Sequence, residues 1–334
     1  MKTLEEVAQR AAVSLATVSR VINNQPHVRP AIRERVLSAI RELGYVPNAA
    51  ARTMVTRRTN IVGLMLPQVT WDWYGGDGTF YPMLLQSVSN ACTVNERHLL
   101  LSTVPPGNPQ MAREVLGGGH IDGVIASMFA SADPVINLIA TSHLPAVLIG
   151  RNPYYPELSW VDVDNFSSAQ EAVSYLVRQG RRRIATLMLG TEGQAGVQRR
   201  DGYTRALLNH GLALDPALLL EPSRSGDDGY AAMQQLLDLP NRPDAVFAAA
   251  DGMALRALDA IRERGLRVPE DIAVIGFDDQ PSASRAGPPL TTVRQPIMEM
   301  GTQATALLLR LIDAPEAGPL HMVLPTQLVI RQSA

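Results

Sequence analysis

The sequence predicts an α/β chain: a small, basic, all-helical head ahead of a larger body built from parallel sheets. Three observations carry this. Residues 1–60 hold ten Lys and Arg against four Glu, a charge of +6, while the other 274 hold 20 basic and 28 acidic residues, a charge of −8. The same 60 residues show helical periodicity only, in short apolar stripes split by turns. From Asn60 on, short β-rich runs alternate with helical patterns, which calls for parallel sheets covered on both faces. At 334 residues and 46% apolar composition, two or three compact domains follow and disorder is excluded.

Thr3 and Glu6 have capping-box spacing, so a first helix starts at Leu4 and buries Leu4, Val7, Ala8 and Ala11. Ala12-Val13-Ser14 makes a short turn, and Ser14 caps a second helix, Leu15 to Asn23, whose Val18, Val21 and Ile22 point inward. Two short helices joined by a three-residue turn form a helix-turn-helix. After a polar loop, Pro30 opens a third helix with the stripe Ile32, Val36, Ile40 and Leu43, and Gly44 ends it.

A basic head on an acidic body suits a polyanion partner. With the second helix in a major groove, Leu15, Ala16 and Thr17 face base edges, and Arg20, one turn on, makes a forked contact to guanine. Ser14, Thr17, Ser19 and Asn23 are short polar groups suited to phosphates. His27 stands beside them, against a phosphate or in solvent. Pro47 to Met54 spans about two helical turns, too short to be helical unaided; it folds only against something, or serves as an Ala-rich linker.

In the body, strands are expected at Ile61–Leu66, Leu99–Val104, Gly123–Ser127, Ala146–Ile149, Ile184–Leu189, Ala245–Ala249 and Ile272–Gly276. Helices are expected at Ala169–Gln179, Arg199–Asn209, Gly252–Arg264 and Met298–Ile312. A body of 274 residues divides into two such layered units, with ligands held at the carboxyl ends of the strands.

Other functions find little footing. Ile61 to Leu66 falls far short of the roughly 20 apolar residues of a membrane span, so no membrane partner is expected. Glu5 and Glu6 stand where a secretory signal would carry its apolar core, and a cytoplasmic chain is expected. The single Cys92 supplies neither a disulfide nor a cysteine-rich zinc site, and the six His show no ligand spacing. The clusters Gly75-Gly76-Asp77-Gly78 and Gly117-Gly118-Gly119 form no dinucleotide fingerprint and there is no P-loop. No cofactor, no metal and no enzyme activity are expected.

Thr3-Leu4-Glu5-Glu6-Val7-Ala8, the run Val13 to Asn23 and the run Gly44-Tyr45-Val46-Pro47-Asn48-Ala49-Ala50-Ala51-Arg52 resemble the head of the LacI/GalR family of transcriptional regulators. The resemblance continues through Asp162-Val163-Asp164-Asn165, Arg199-Arg200-Asp201-Gly202-Tyr203, Asp251 to Leu255, Arg267 to Asp279, Pro289 to Val293 and Leu328 to Arg331. It implies a head over 1–46, a hinge over 47–59 and a body over 60–334. The body is similar to periplasmic sugar-binding proteins: two lobes, about 60–160 with 292–320 and 161–291 with 321–334, linked by three crossovers, the last strands returning to the second lobe.

The resemblance also implies a homodimer on double-stranded palindromic operator DNA. In the hinge, Ala51 and Met54 approach the minor groove, Met54 matching the Leu that wedges the central base step. A small-molecule effector occupies the cleft and changes lobe orientation; a sugar or sugar derivative is implied first, a purine or nucleoside second. The residues carried over are Phe80, Tyr81, Arg151, Arg199, Asp251 and Asp278, because carboxylates and an Arg fork hold vicinal hydroxyls while an aromatic face covers the C–H side of a sugar. Asp251 either caps the following helix or reaches the ligand, and Asp164 either fixes a turn or does the same.

Five departures stand out. Ala12 replaces a usual Gly, which is tolerated in a turn that is not strongly left-handed. Arg29 replaces a Ser or Thr cap, Arg181 a His, and Ala250 an Asn that contacts ligand. The stretch Trp71 to Gly78 lengthens a loop; Trp73 and its neighbours there form a stacking lid, or the loop packs on a lobe or on a partner subunit. A solute-binding protein without a transcriptional role is the rival from another class, opposed by the basic head.

Overall fold

The computed structural model describes residues 2–22, 25–45, 58–68, 79–105, 108–127, 129–190, 193–221 and 228–334. It divides into two units, Met1–Asn60 and Ile61–Ala334. Hinge residues 47–57 and the proposed contacts Asn23, Ala51, Met54 and Trp73 lie outside the described residues.

The first unit contains α1 (Leu4–Ala11), α2 (Leu15–Ile22) and α3 (Pro30–Leu43). The capping box forms as expected: Thr3 N–H donates to Glu6 Oε2 at 2.9 Å and Glu6 N–H to Thr3 Oγ1 at 3.3 Å. Val7, Ala8, Ala11, Val18, Val21, Val36 and Ala39 make one buried core. Gly44 takes φ 59° to end α3, and Tyr45 N–H reaches back to the Ile40 carbonyl at 3.1 Å.

Ala12 requires a correction. Its φ of 50° and ψ of 52° are left-handed, a conformation that costs an L-residue roughly 1–2 kcal/mol. The bend is held nonetheless: Val13 N–H bonds the Ala8 carbonyl at 3.0 Å, and Arg35 bonds the Ala12 carbonyl at 3.2 Å. The usual Gly would give the same turn without the Cβ penalty.

The second unit carries two six-stranded sheets. The first comprises β1 (Ile61–Pro67), β2 (His98–Val104), β3 (Gly123–Ser127), β4 (Ala146–Ile149), β5 (Ser159–Val163) and β11 (His321–Leu324), in the order β11-β5-β4-β3-β1-β2, all parallel. Among the described residues its faces are covered by α4 (Phe80–Val94), α5 (Gln110–Gly117), α6 (Pro134–Thr141) and α12 (Ile297–Asp313). Double coverage explains why β1 reads as an unbroken apolar run: Val62, Leu64 and Leu66 enter one core and Met65 the other.

The second sheet comprises β6 (Ile184–Leu187), β7 (Leu219–Leu220), β8 (Ala245–Ala248), β9 (Ala273–Asp278), β10 (Thr291–Arg294) and β12 (Gln327–Val329), in the order β12-β10-β9-β8-β6-β7. Only β12 runs antiparallel. Its covering helices are α7 (Asn165–Arg178), α8 (Gln194–Asn209), α9 (Asp228–Leu237), α10 (Asp251–Glu263) and the short α11 (Pro281–Arg285). Arg181 bridges loops beneath this sheet, donating to the carbonyls of Asp244, Pro269 and Glu270.

The lobe boundaries differ from those expected. β5 belongs wholly to the first sheet, β10 wholly to the second, and β11 pairs with β5 in the first, so of the last strands only β12 returns to the second lobe. The crossings therefore fall in the short links after Val163, Arg294 and Leu324. The reason is hydrogen bonding: a strand leaves its sheet only where its ladder ends, a few residues later than the polar motifs suggested. Because the links after Val163 and Arg294 leave from strand carboxyl ends, the carboxyl edges of both sheets meet at the crossovers.

Candidate functional site

On the first unit, α2 offers an outward face. Ser14 caps it, accepting from Thr17 N–H at 3.2 Å, and the two hydroxyls lie 2.9 Å apart. Val18 and Val21 are buried, whereas Ala16 and Arg20 are exposed, Ser19 is half-buried, and Leu15 is 43% exposed. His27 is exposed on the following loop. Three of the four acids are occupied: Glu6 by Lys2 at 3.3 Å, Glu34 by Arg41 at 2.9 Å, and Glu42 by Arg10. Among the described residues Arg20 carries no ion pair, so its charge faces outward unneutralised.

On the second unit, a chain of buried polar groups runs across the crossover from the first lobe to the second. Asp162, near the end of β5, accepts from Arg151 Nε at 2.9 Å through Oδ2 and from Asn165 Nδ2 at 3.1 Å through Oδ1. Asn165, the first residue of α7, accepts in turn from Arg199 Nε at 2.8 Å. Arg199, only 5% exposed, donates to the Ala249 carbonyl at 2.6 Å, lies 3.7 Å from Asp278 Oδ1 and stacks over the Phe277 ring at 3.6 Å from its centroid. Asp278 ends β9, where Gln295 Nε2 at 2.6 Å and Gln280 Nε2 at 3.3 Å complete its shell.

The bend that presents Asp278 is strained. Asp278 has φ 122° and Asp279 φ 55°, conformations that cost non-glycine residues on the order of 1–3 kcal/mol each. Three anchors hold them: Asp279 binds Arg294 and Arg331, each at 2.6 Å, and Asp251 Oδ2 accepts from Gln280 N–H at 2.8 Å. Gly276 is part of the same arrangement, because a methyl group there would collide with the Asp251 carboxylate.

Asp251 is fully buried on the first turn of α10, and Thr292 Oγ1 lies 2.5 Å from its Oδ1. It neither caps α10 by its side chain nor opens to solvent; it ties the Gln280 backbone to β10. Burial, then the neighbouring charge of Asp278, raise its pKa well above the ordinary aspartate value against the pull of Thr292 and Gln280. Burial also raises that of Asp278, with Arg199 opposing.

A carboxyl whose folded pKa is raised contributes stability that is complete below the ordinary aspartate range and lost as pH rises through the raised value. Asparagine suits the same bonds, its carbonyl facing Gln280 N–H and its amide facing Thr292 Oγ1. Asp251→Asn is therefore expected to be more stable than wild type near pH 8, the gap closing toward about pH 4, in urea titrations across that range.

The remaining candidates are dispersed. Arg151 joins the chain only through Asp162 and also lies over Trp160, 4.8 Å from its ring, which in turn stacks on His321. Phe80 and Tyr81 open α4, meet edge to face at 5.9 Å and pack against the first-lobe core. Asp164 caps α7 through Ser167 N–H at 2.9 Å. Sequence reasoning missed Asp162, Asn165, Gln280 and Gln295, and Ser127, buried at the carboxyl end of β3 with its hydroxyl unbonded. A carboxylate between Val161 and Val163 in a short strand was the available signal for Asp162.

Residues 3–48 match the model for bacterial regulatory proteins of the lacI family, and residues 173–334 the periplasmic binding protein-like domain. The HTH-type transcriptional regulator CelR of Thermobifida fusca is 41% identical over 99% of this chain and 98% of its own. Catabolite control protein A of Priestia megaterium is 31% identical over 99% and 98% respectively. Among solved structures, a transcriptional regulator CelR–cellobiose complex superposes with a TM-score of 0.76 at 38% identity, covering 100% of both chains. The lac repressor dimer bound to operator and the anti-inducer ONPF gives 0.86 at 26%, covering 99% of this chain and 98% of that one.

Proposed function

The chain belongs to the lacI family of bacterial regulatory proteins, and from this premise we propose that it is a homodimeric, cytoplasmic repressor of carbohydrate-utilisation genes under the control of a sugar. One head reads each half of a palindromic operator. A single head makes too few contacts for the roughly 10⁻⁸–10⁻¹¹ M affinity of specific regulators, which is why the dimer is required. The observation that carries the DNA-binding half is the capped, exposed face of α2, with Leu15 outward and Arg20 unneutralised.

For the effector, the reading rests on the Arg199–Asp278 cluster at the meeting carboxyl edges and on the cellobiose complex of the similar CelR. Asp278 is held by two amides and a guanidinium. Such a shell orients an acceptor for hydroxyls and suits ligand holding better than proton transfer. No catalytic role is assigned to it.

Duplexes selected from a randomised library, followed by anisotropy titration with and without cellobiose, provide the test. Enrichment of an inverted repeat, a steep fall in affinity with salt and a cellobiose-dependent shift in operator affinity are expected. Equal binding to selected and scrambled duplexes, in both conditions, would refute the regulator reading. An intact operator preference that cellobiose does not alter would refute the effector reading alone.

A further inference from the structure

Two positions beyond Asp278, Gln280 is 4% exposed, and its Oε1 is buried without a hydrogen-bond partner among the described residues. Every other polar atom of its side chain and N–H is committed: Nε2 to Asp278 Oδ2 at 3.3 Å, the backbone N–H to Asp251 Oδ2 at 2.8 Å. With Asp278 accepting through Oδ2 and facing the Arg199 guanidinium, the amide turns its nitrogen toward the carboxylate, since the flipped form would set oxygen against oxygen. Oε1 can only accept, so what it lacks is a donor. Protein interiors carry few such orphans, and a ligand is one reason to keep them.

Gln280 follows directly on the strained Asp278–Asp279 bend, where Arg294 and Arg331 anchor the Asp279 side chain and Gln295 holds that of Asp278 at the carboxyl edge of the second sheet. Ser282, two residues further on, also has a buried hydroxyl without a partner. An apolar residue of similar length at 280 would leave no orphan carbonyl but would strip the Nε2 donor from Asp278, so the amide nitrogen has its structural partner and the carbonyl alone is unaccounted for.

Resting on the reading of this cluster as a sugar site, we propose that Gln280 is a specificity-determining residue whose Oε1 accepts a hydrogen bond from a sugar hydroxyl next to the one that Asp278 holds. Carboxylate and amide then read a vicinal diol together. The amide selects for the second hydroxyl, because a ligand lacking it leaves the buried carbonyl bare.

Calorimetric titration of cellobiose and each monodeoxy-cellobiose into intact wild type and Gln280→Met tests this. Methionine keeps the length and removes the acceptor together with the Nε2 donor to Asp278, so the match between the variant and one deoxy analogue, not the weakening alone, reports on Oε1. The variant is expected to bind cellobiose about tenfold or more weakly; one deoxy analogue is expected to lose a similar factor on wild type and nothing further on the variant. A crystal structure of wild type with cellobiose, which needs no variant to fold, is expected to place a hydroxyl oxygen within about 3 Å of Oε1. Unchanged affinity in Gln280→Met, equal losses from every analogue in both proteins, or a complex with Oε1 still bare overturns the assignment and leaves the sugar reading standing. Wild type that binds no cellobiose overturns both.

Discussion

Replacing Arg199 by Met is expected to destabilise the second unit by about 3–5 kcal/mol, the cost of removing one partner of a buried ion pair, and to abolish the response to effector. The size follows from what the guanidinium holds. Its departure strips a donor from Asn165 Oδ1 and from the Ala249 carbonyl, and leaves the Asp278 carboxylate, 7% exposed, with amide partners only. Arg199 also opposes the rise that burial imposes on the Asp278 pKa. Without it the folded pKa of Asp278 rises further, so the penalty should shrink as pH falls toward the carboxylate range, where the group protonates in both states. Urea unfolding at several pH values reads this directly. Adding Asp278→Asn should recover part of the loss, because no charge is then left stranded. A penalty that does not change with pH and is additive in the double variant would mean that the Arg199 contribution is packing on Phe277 rather than charge.

Much of this was legible beforehand, for identifiable reasons. The strands β3 and β4 fall at the expected residues because buried parallel strands are short apolar runs with sharp polar ends. The helix ends of the head follow from local chemistry: Thr3, Ser14, Pro30 and Gly44 each act within one turn. By contrast, β11 and β12 are a few residues long, half exposed and set by pairing with strands far away in sequence, a kind of information that local periodicity does not hold. The site divides in the same way. Arg199 and Asp278 come forward through the resemblance of the motifs that carry them, whereas Gln280 and Asn165 are ordinary residues in a sequence and acquire meaning only from the charged groups that surround them. Asp251 shows the opposite failure: a candidate for ligand contact by motif, it is a sealed structural tie in three dimensions.

Arg20→Ala should have the largest effect on DNA recognition, and its form distinguishes base reading from mere attraction. A forked guanine contact is worth about 1–3 kcal/mol of discrimination. A palindrome engages two heads, so the dimer should lose roughly 2–6 kcal/mol against its selected operator while its affinity for scrambled DNA falls far less. The structure permits this role because Arg20 is exposed on the same helix whose opposite face, Val18 and Val21, locks into the core, so its direction is set by packing. Arg20→Lys keeps the charge and loses the fork, and is expected to retain non-specific binding while relaxing selectivity at one base pair of each half-site. Selection profiles and salt titrations of the three proteins supply the comparison. A base contact leaves the salt slope nearly intact in Arg20→Ala, whereas a phosphate contact lowers it by about one per head and weakens all sequences alike. The second pattern would move the reading of guanine away from Arg20 and leave Leu15, Ala16 and Thr17 as the α2 residues that face the bases.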